Sequence, residues 1–172
     1  MCKRAGLVIR LFVVPMGNTR ASTNYQPDLD FCMSLLETAL KIATEAHSGQ
    51  TERNGQPYIA HPPRVMERVE TEDEKIVAIL HDVVEDTAWT FEQLTKAGFP
   101  QHIIAALDCV TKRDGEEYSA FVERSASDPL ARRVKLADLE DNMDVRRLSE
   151  VTEEDRQRLN KYLAAYRRLQ NI

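Results

Sequence analysis

The sequence predicts an all-α fold, a single-domain bundle of about seven to eight helices. Three observations predict it. Apolar residues recur at three- and four-residue spacing in one segment after another, the period at which one side of a helix meets a core. No segment alternates convincingly at period two, as a half-buried strand would. Aromatics are sparse at 6%, while Ala, Leu, Glu and Arg are plentiful, a balance that favours helix over sheet. A chain of 172 residues also suits one hydrophobic core.

Residues 1–27 stand apart. Basic residues, a short apolar run and a polar Asn/Ser/Thr/Pro stretch give them a superficial likeness to an export signal. Arg10 interrupts the apolar run, no small-x-small cleavage site follows, and the run is too short to span a membrane. The expectation is a poorly ordered tail, or a start placed too early with Met16 as the initiator, ahead of a folded domain over 28–172.

The elements follow in order. LDFCMSLLETALKIATEAH carries a wide apolar stripe, with Asp28 or Asp30 as its N-cap. SGQTERNGQPYIAHPP reads as a loop punctuated by Gly and Pro, and Pro62 or Pro63 enters the first turn of a helix running through Arg64 to Glu70. Glu72 to Val84 reads as one helix. Thr90 caps FEQLTKA, which Gly98 stops, and Pro100 opens QHIIAALDCVTK. A short helix holds Tyr118 to Arg124, and Pro129 begins LARRVKLADLEDNMDVRRL. The last helix starts at Thr152 and presents Leu159, Tyr162, Leu163, Tyr166 and Leu169 at helical spacing.

Net charge is −5, which excludes the basic footprint of a nucleic-acid binder. An anionic ligand must then be met by local cations or by a metal. Cys2, Cys32 and Cys109 are odd in number and form no CxxC pair, which speaks against a disulfide framework or a zinc knuckle. Reduced thiols in the cytoplasm are the simplest reading.

One stretch breaks the apolar logic. ILHDVVEDT sets His81, Asp82, Glu85 and Asp86 among Ile79, Leu80, Val83 and Val84. On a helix these four side chains reach one cleft, and three formal negatives within two turns repel unless a cation sits among them. A divalent metal is the compact answer, and imidazole with carboxylate but no thiolate suits Mn, Fe or Zn-like ions. His61, at the end of its loop, and Asp138, on a largely apolar stretch with Asn142 four residues on, look able to complete the site. Taken singly, each of these residues is better explained by structure. The ordered combination is not.

GQ at Gly49-Gln50, GQPYIAHP from Gly55 to Pro62, ILHDVVEDT, VTKR from Val110 to Arg113 and VKLADLEDN from Val134 to Asn142 together resemble the hydrolase domain of the RelA/SpoT family, within the HD phosphohydrolase superfamily. The short length is similar to that of the stand-alone small alarmone hydrolases. The likeness covers roughly Ala39 to Leu148. It implies that His61, His81, Asp82 and Asp138 bind one metal, typically Mn²⁺, and that Glu85 and Asp86 orient and activate the attacking water. It implies that Asn142 lies at the substrate ribose, Tyr58 beside the nucleotide and Lys112 in the pocket lining.

The implied activity is removal of the 3′-pyrophosphate from (p)ppGpp-type nucleotides. Such a substrate adds negative charge to an acidic site, so Lys112, Arg113 and Lys135 become candidate counter-charges. Two departures bear on the base. Glu52 stands where an arginine that packs on guanine is common in the family, with Arg53 one place on as a substitute. Asp144-Val145 follow Met143 where Arg-Thr is usual. A (p)ppApp-type substrate, another 3′-phosphorylated nucleotide or a non-catalytic nucleotide sensor are the alternatives.

Overall fold

The computed structural model describes residues 33–53 and 55–172, so the tail reading and the proposed caps Asp28 and Asp30 lie outside the described residues. The helices are α1 (Leu35–Ala46), α2 (His61–Met66), α3 (Glu72–Leu80), α4 (Val83–Asp86), α5 (Phe91–Lys96), α6 (Gln101–Val110), α7 (Tyr118–Ala126), α8 (Pro129–Asn142) and α9 (Glu153–Gln170). With α3 and α4 counted as one interrupted helix they number eight among the described residues. Single 3₁₀ turns occupy Tyr58–Ala60 and Val145–Arg147. Apart from an isolated bridge between Thr51 and Pro57, the described residues contain no β-structure. The fold is all-α.

Local chemistry sets most of the boundaries. Ser34, Thr71, Thr90 and Thr152 each accept from the backbone amide three residues on, and Glu37, Glu74, Gln93 and Asp155 each return a bond to the cap's own amide. These reciprocal caps satisfy amides that a helix start leaves open. The described first helix is therefore capped by Ser34. Gly98 follows α5 with φ +98, a conformation that a side chain would strain. Pro100 caps α6 and Pro129 opens α8, where a missing N–H costs nothing.

The core is organised around α3. Ile76, Val77, Ala78, Ile79 and Leu80 are all buried, so the C-terminal half of this helix is apolar on every side and must be surrounded. It packs against α1, α2, α6 and α8, in a cluster that includes Ala39, Ile42, Val65, Ile103, Leu107 and Val134. A smaller cluster of Val122, Leu139, Ala165 and Leu169 fastens α9 across α7 and α8. Leu163, placed by spacing on the apolar stripe of α9, is exposed. The buried side of that helix runs instead through Ala165 and Leu169.

Two segments at the polar cluster differ from the sequence reading, and the helix opened by Pro129 ends at Asn142 rather than continuing through Leu148. The second helix runs His61–Met66 rather than Arg64 to Glu70, so His61 opens a helix instead of ending a loop. The segment Glu72 to Val84 is not continuous. Its helix stops at Leu80, Asp82 sits at φ −103 and ψ −3, and a new turn starts at Val83. The interruption has a local cause. The His81 ring nitrogen Nδ1 donates to the Ala78 carbonyl at 2.8 Å, an acceptor that a continuing helix would give to the amide of residue 82.

Leu80 is fully buried immediately before this interruption and anchors it to the core. Leu80→Ala should lower unfolding free energy by about 2–5 kcal/mol in a denaturant titration. A loss under 1 kcal/mol would mean that the interruption is held by something other than core packing.

Candidate active site

The interruption after α3 turns His81 and Asp82 toward the start of α2 and the middle of α8. His61 Nε2 lies 3.2 Å from Asp138 Oδ1 and 3.8 Å from Asp82 Oδ2. His81 Nε2 lies 2.9 Å from Asp82 Oδ2 and 3.6 Å from Asp138 Oδ1. One donor atom from each of His61, His81 and Asp138 falls within 4.8 Å of the other two, and all three residues are buried. Four residues from three helices thus converge on one point.

The ring tautomers follow from the partners. A carbonyl and an ionised carboxylate only accept, so Nδ1–H of His81 donates to Ala78 and Nδ1–H of His61 donates to Asp141 Oδ2 at 2.8 Å. Both Nε2 atoms are thereby presented to the cluster. His81 Nε2 is buried and makes no aligned hydrogen bond among the described residues, an open donor position that a metal ion would fill. The group can hold a metal ion, and its nitrogen and oxygen donors fit a borderline or hard divalent cation.

Without a cation the charges rearrange. Burial alone would lower the His61 and His81 pKa values, yet the Asp138 carboxylate beside both, with Asp141 at His61 and Asp82 at His81, holds them above the ordinary histidine range. Burial alone would likewise raise Asp82 and Asp138. His81 beside Asp82, and Lys135 with the two histidines beside Asp138, keep these carboxylates below their usual range. Lys135 Nζ contacts Asp138 Oδ2 at 2.7 Å, leaving Oδ1 toward the imidazoles, where Asn142 Nδ2 donates to it at 2.5 Å. Tyr58 donates its hydroxyl to Asp82, and both burial and that carboxylate raise the phenol pKa.

Asp141 was not singled out by sequence reasoning. It is fully buried on α8, and besides His61 it meets Arg64 at 3.1 Å, Arg147 at 3.1 Å and Arg68 at 3.3 Å. A carboxylate that receives the far nitrogen of a ligand-like histidine orients the ring and raises its basicity. The available signal was a second aspartate one turn after Asp138 in VKLADLEDN, hidden because it reads as a solvated helix charge. Glu52 joins the same network, bridging Arg64 and Arg147 at 2.6 Å each. Position 52 thus carries an acid whose carboxylate two arginines already hold.

Most of the remaining sequence-predicted residues line a cleft of about 600 Å³ over the cluster. Arg53, Tyr58, Glu85, Lys112, Lys135 and Asn142 are on its wall. Glu85 accepts from the Lys112 backbone amide at 2.7 Å, which fixes one carboxylate oxygen, and burial raises its pKa despite that bond. Asp86 is not on the wall. Burial and then Asp82 raise its pKa, and its carbonyl accepts from Gln50 at 3.2 Å. Arg53 pairs with Glu154 at 2.8 Å across the start of α9. Arg113 pairs with Asp108 at 2.8 Å and lies off the cleft wall, so it is a surface charge.

No family model matches the chain. It is 30% identical over 155 residues to a GTP pyrophosphokinase of Myxococcus xanthus, covering 80% of this chain and 20% of that protein. It is 32% identical over 138 residues to the guanosine-3′,5′-bis(diphosphate) 3′-pyrophosphohydrolase of Aquifex aeolicus, covering 73% and 19%. The chain therefore spans about a fifth of the length of these curated relatives. Among solved structures it matches a metazoan ortholog of SpoT that hydrolyses ppGpp, with a TM-score of 0.67 over 80% of this chain and 85% of that one, at 24% identity. That likeness is one of fold. The homologues of the chain are RelA/SpoT-family proteins.

Two outcomes follow from this geometry. Asp141→Asn should weaken metal binding by about 10–100-fold while far-UV circular dichroism stays native. Unchanged affinity would remove Asp141 from any role at His61. Because His61 and His81 are held protonated above the usual histidine pKa, a metal must displace those protons. Affinity should therefore rise with pH through and above the ordinary value of about 6.5. Calorimetry in buffers of different ionisation enthalpy should register proton release, and a count of zero would contradict the assignment.

Proposed function

We propose that, like the relatives named as 3′-pyrophosphohydrolases, this protein is a metal-dependent hydrolase that removes the 3′-pyrophosphate of (p)ppGpp-type nucleotides, giving GDP or GTP and pyrophosphate. The observation that carries this reading is the convergence of His61, His81, Asp82 and Asp138 beneath a cleft that also presents Glu85. These four side chains would hold one Mn²⁺. When bound, such an ion polarises a phosphoryl oxygen and makes water a better nucleophile, roughly several kcal/mol of stabilisation.

The chain's own residues supply the rest. Glu85 has one oxygen tied to the Lys112 amide, leaving the other to accept a proton from water at the cleft. Its raised pKa makes it a better base than an ordinary carboxylate. Asp86, off the cleft wall, adds negative charge beside Glu85 and helps hold its pKa up. Tyr58 fixes Asp82 through its hydroxyl, and Asn142 fixes Asp138. The Lys112 ammonium, on the cleft wall, offsets charge on the departing pyrophosphate. The free Cys109 is in keeping with a reducing cytoplasm, and among the described residues no helix is long and apolar enough to cross a membrane.

A second reading, hydrolysis of (p)ppApp-type nucleotides, is favoured by Glu52. Its carboxylate is held between Arg64 and Arg147 and leaves position 52 without a guanidinium to lie on a guanine ring. Arg53 is then the nearest substitute, and it must leave Glu154 to serve.

The test incubates the purified protein with ppGpp and ppApp, with and without Mn²⁺, and follows released pyrophosphate. If neither is cleaved while metal is bound, the reading fails. Glu85→Gln with Asp86→Asn should retain nucleotide binding and lose about 10²–10⁴-fold in turnover. A protein that only senses nucleotide would show no turnover in either form.

A further inference from the structure

The turn that carries Glu85 cannot hold itself in place. Helix α4 is only four residues long, and the break at His81-Asp82 frees it from α3. A single turn fixes several dihedrals for one backbone bond, here from the Asp86 amide to the Asp82 carbonyl at 2.9 Å. Its position is therefore set from outside. Val83 is buried and ties its start to the core, and the Lys112 amide ties Glu85. The last carbonyl of the turn, on Asp86, receives the side-chain amide of Gln50 at 3.2 Å.

Gln50 is held in turn from behind. Its backbone N–H donates to the His47 carbonyl at 3.1 Å and its C=O accepts from the Tyr58 amide at 2.9 Å, in a turn that Gly49 permits with φ +81. Its side chain has one workable orientation. The Asp86 carbonyl only accepts, so the Gln50 NH₂ faces it, and Gln50 Oε1 faces His47 Nδ1 at 2.8 Å. His47 Nδ1 therefore carries a proton and donates it. The His47 ring is 1% exposed at the end of α1, and its centre lies 4.8 Å from that of the Tyr58 ring. Its Nε2 is buried without a partner among the described residues, so the ring is oriented by Nδ1 and by packing.

We infer that His47 is a positioning residue: by orienting the Gln50 amide it fixes the end of α4 and so holds Glu85 at the cleft. The inference rests on the proposed reaction for the role of Glu85, and on the hydrogen bonds alone for the clamp. Neither His47 nor Gln50 is on the cleft wall, so both act through the turn and not on substrate. Tyr58, which lies against His47, donates to Asp82 at the start of the same segment. Both ends of residues 82–86 are thus referred to one buried ring. A carboxylate that must meet a water at hydrogen-bond distance tolerates little displacement, since a shift of about 1 Å can cost roughly 10²-fold in rate.

The experiment uses the full chain and follows amide hydrogen exchange and turnover together. His47→Phe keeps a ring beside Tyr58 and removes the donor. Gln50→Leu removes the clamp at a half-buried loop position without touching the core. His47→Asn sets a side-chain N–H near the Nδ1 position and serves as the rescue. Without metal or nucleotide, exchange at the Asp86 amide should quicken about tenfold in His47→Phe and Gln50→Leu, the factor one hydrogen bond is worth, while the amides of Ile76 to Leu80 stay as in the wild type. With Mn²⁺ and ppGpp, kcat should fall about 10–100-fold at nearly unchanged KM, and the double variant should be no worse than either single one. His47→Asn should restore most of both. Unchanged exchange and kcat in Gln50→Leu, or losses that multiply in the double variant, would overturn the inference. So would a loss of protection spread over α1 and α3 in both variants, which marks a structural role alone. If the wild type releases no pyrophosphate while exchange at Asp86 quickens locally in the two variants, the proposed reaction fails and the clamp stands.

Discussion

The structure depends on placing ionised carboxylates where water is scarce. Asp138 and Asp141, on one face of α8, are buried, and a lone buried carboxylate would protonate or unfold its surroundings. Each is instead surrounded by cations, Lys135 on α8 itself and the others from outside that helix. Asp138 faces Lys135, His61 and His81, while Asp141 faces His61 together with Arg64, Arg68 and Arg147. His61 touches both, so the start of α2 is fixed against α8 at two points. Removing either carboxylate would leave the buried His61 and its partly buried neighbours with one counter-charge fewer.

The same constraint explains the interrupted helix. A continuous helix from Glu72 to Val84 would keep His81 in register with its backbone bonds. By taking the Ala78 carbonyl, the His81 ring ends the helix and aims its other nitrogen at Asp82 and Asp138. Ile76 to Leu80, just before the break, are all buried, so this local rearrangement is anchored to the core. A polar cluster can then sit against the core without disordering it.

Much of this was legible in the chain. The period of the apolar residues gave the helices, and Thr90, Pro100, Pro129 and Thr152 marked where four of them begin. His61, His81, Asp82 and Asp138 stood out as an ordered combination although each alone has a structural explanation, and the structure brings them together. Asp141 and the role of Glu52 were not legible. Both are ordinary acids in ordinary polar surroundings in sequence, and their partners lie as many as 95 residues away.

The sequence alone determined the helical class, the caps at Thr90 and Thr152 and the residue types able to meet at a metal, because these depend on local propensity and on the cost of burying charge. Only the tertiary structure decided which charges neutralise which. Glu52 is tied to Arg64 and Arg147, and Asp141 to His61, Arg64, Arg68 and Arg147. Pairing of that kind is set by distance across packed helices, and distance between remote segments is not written in spacing along the chain.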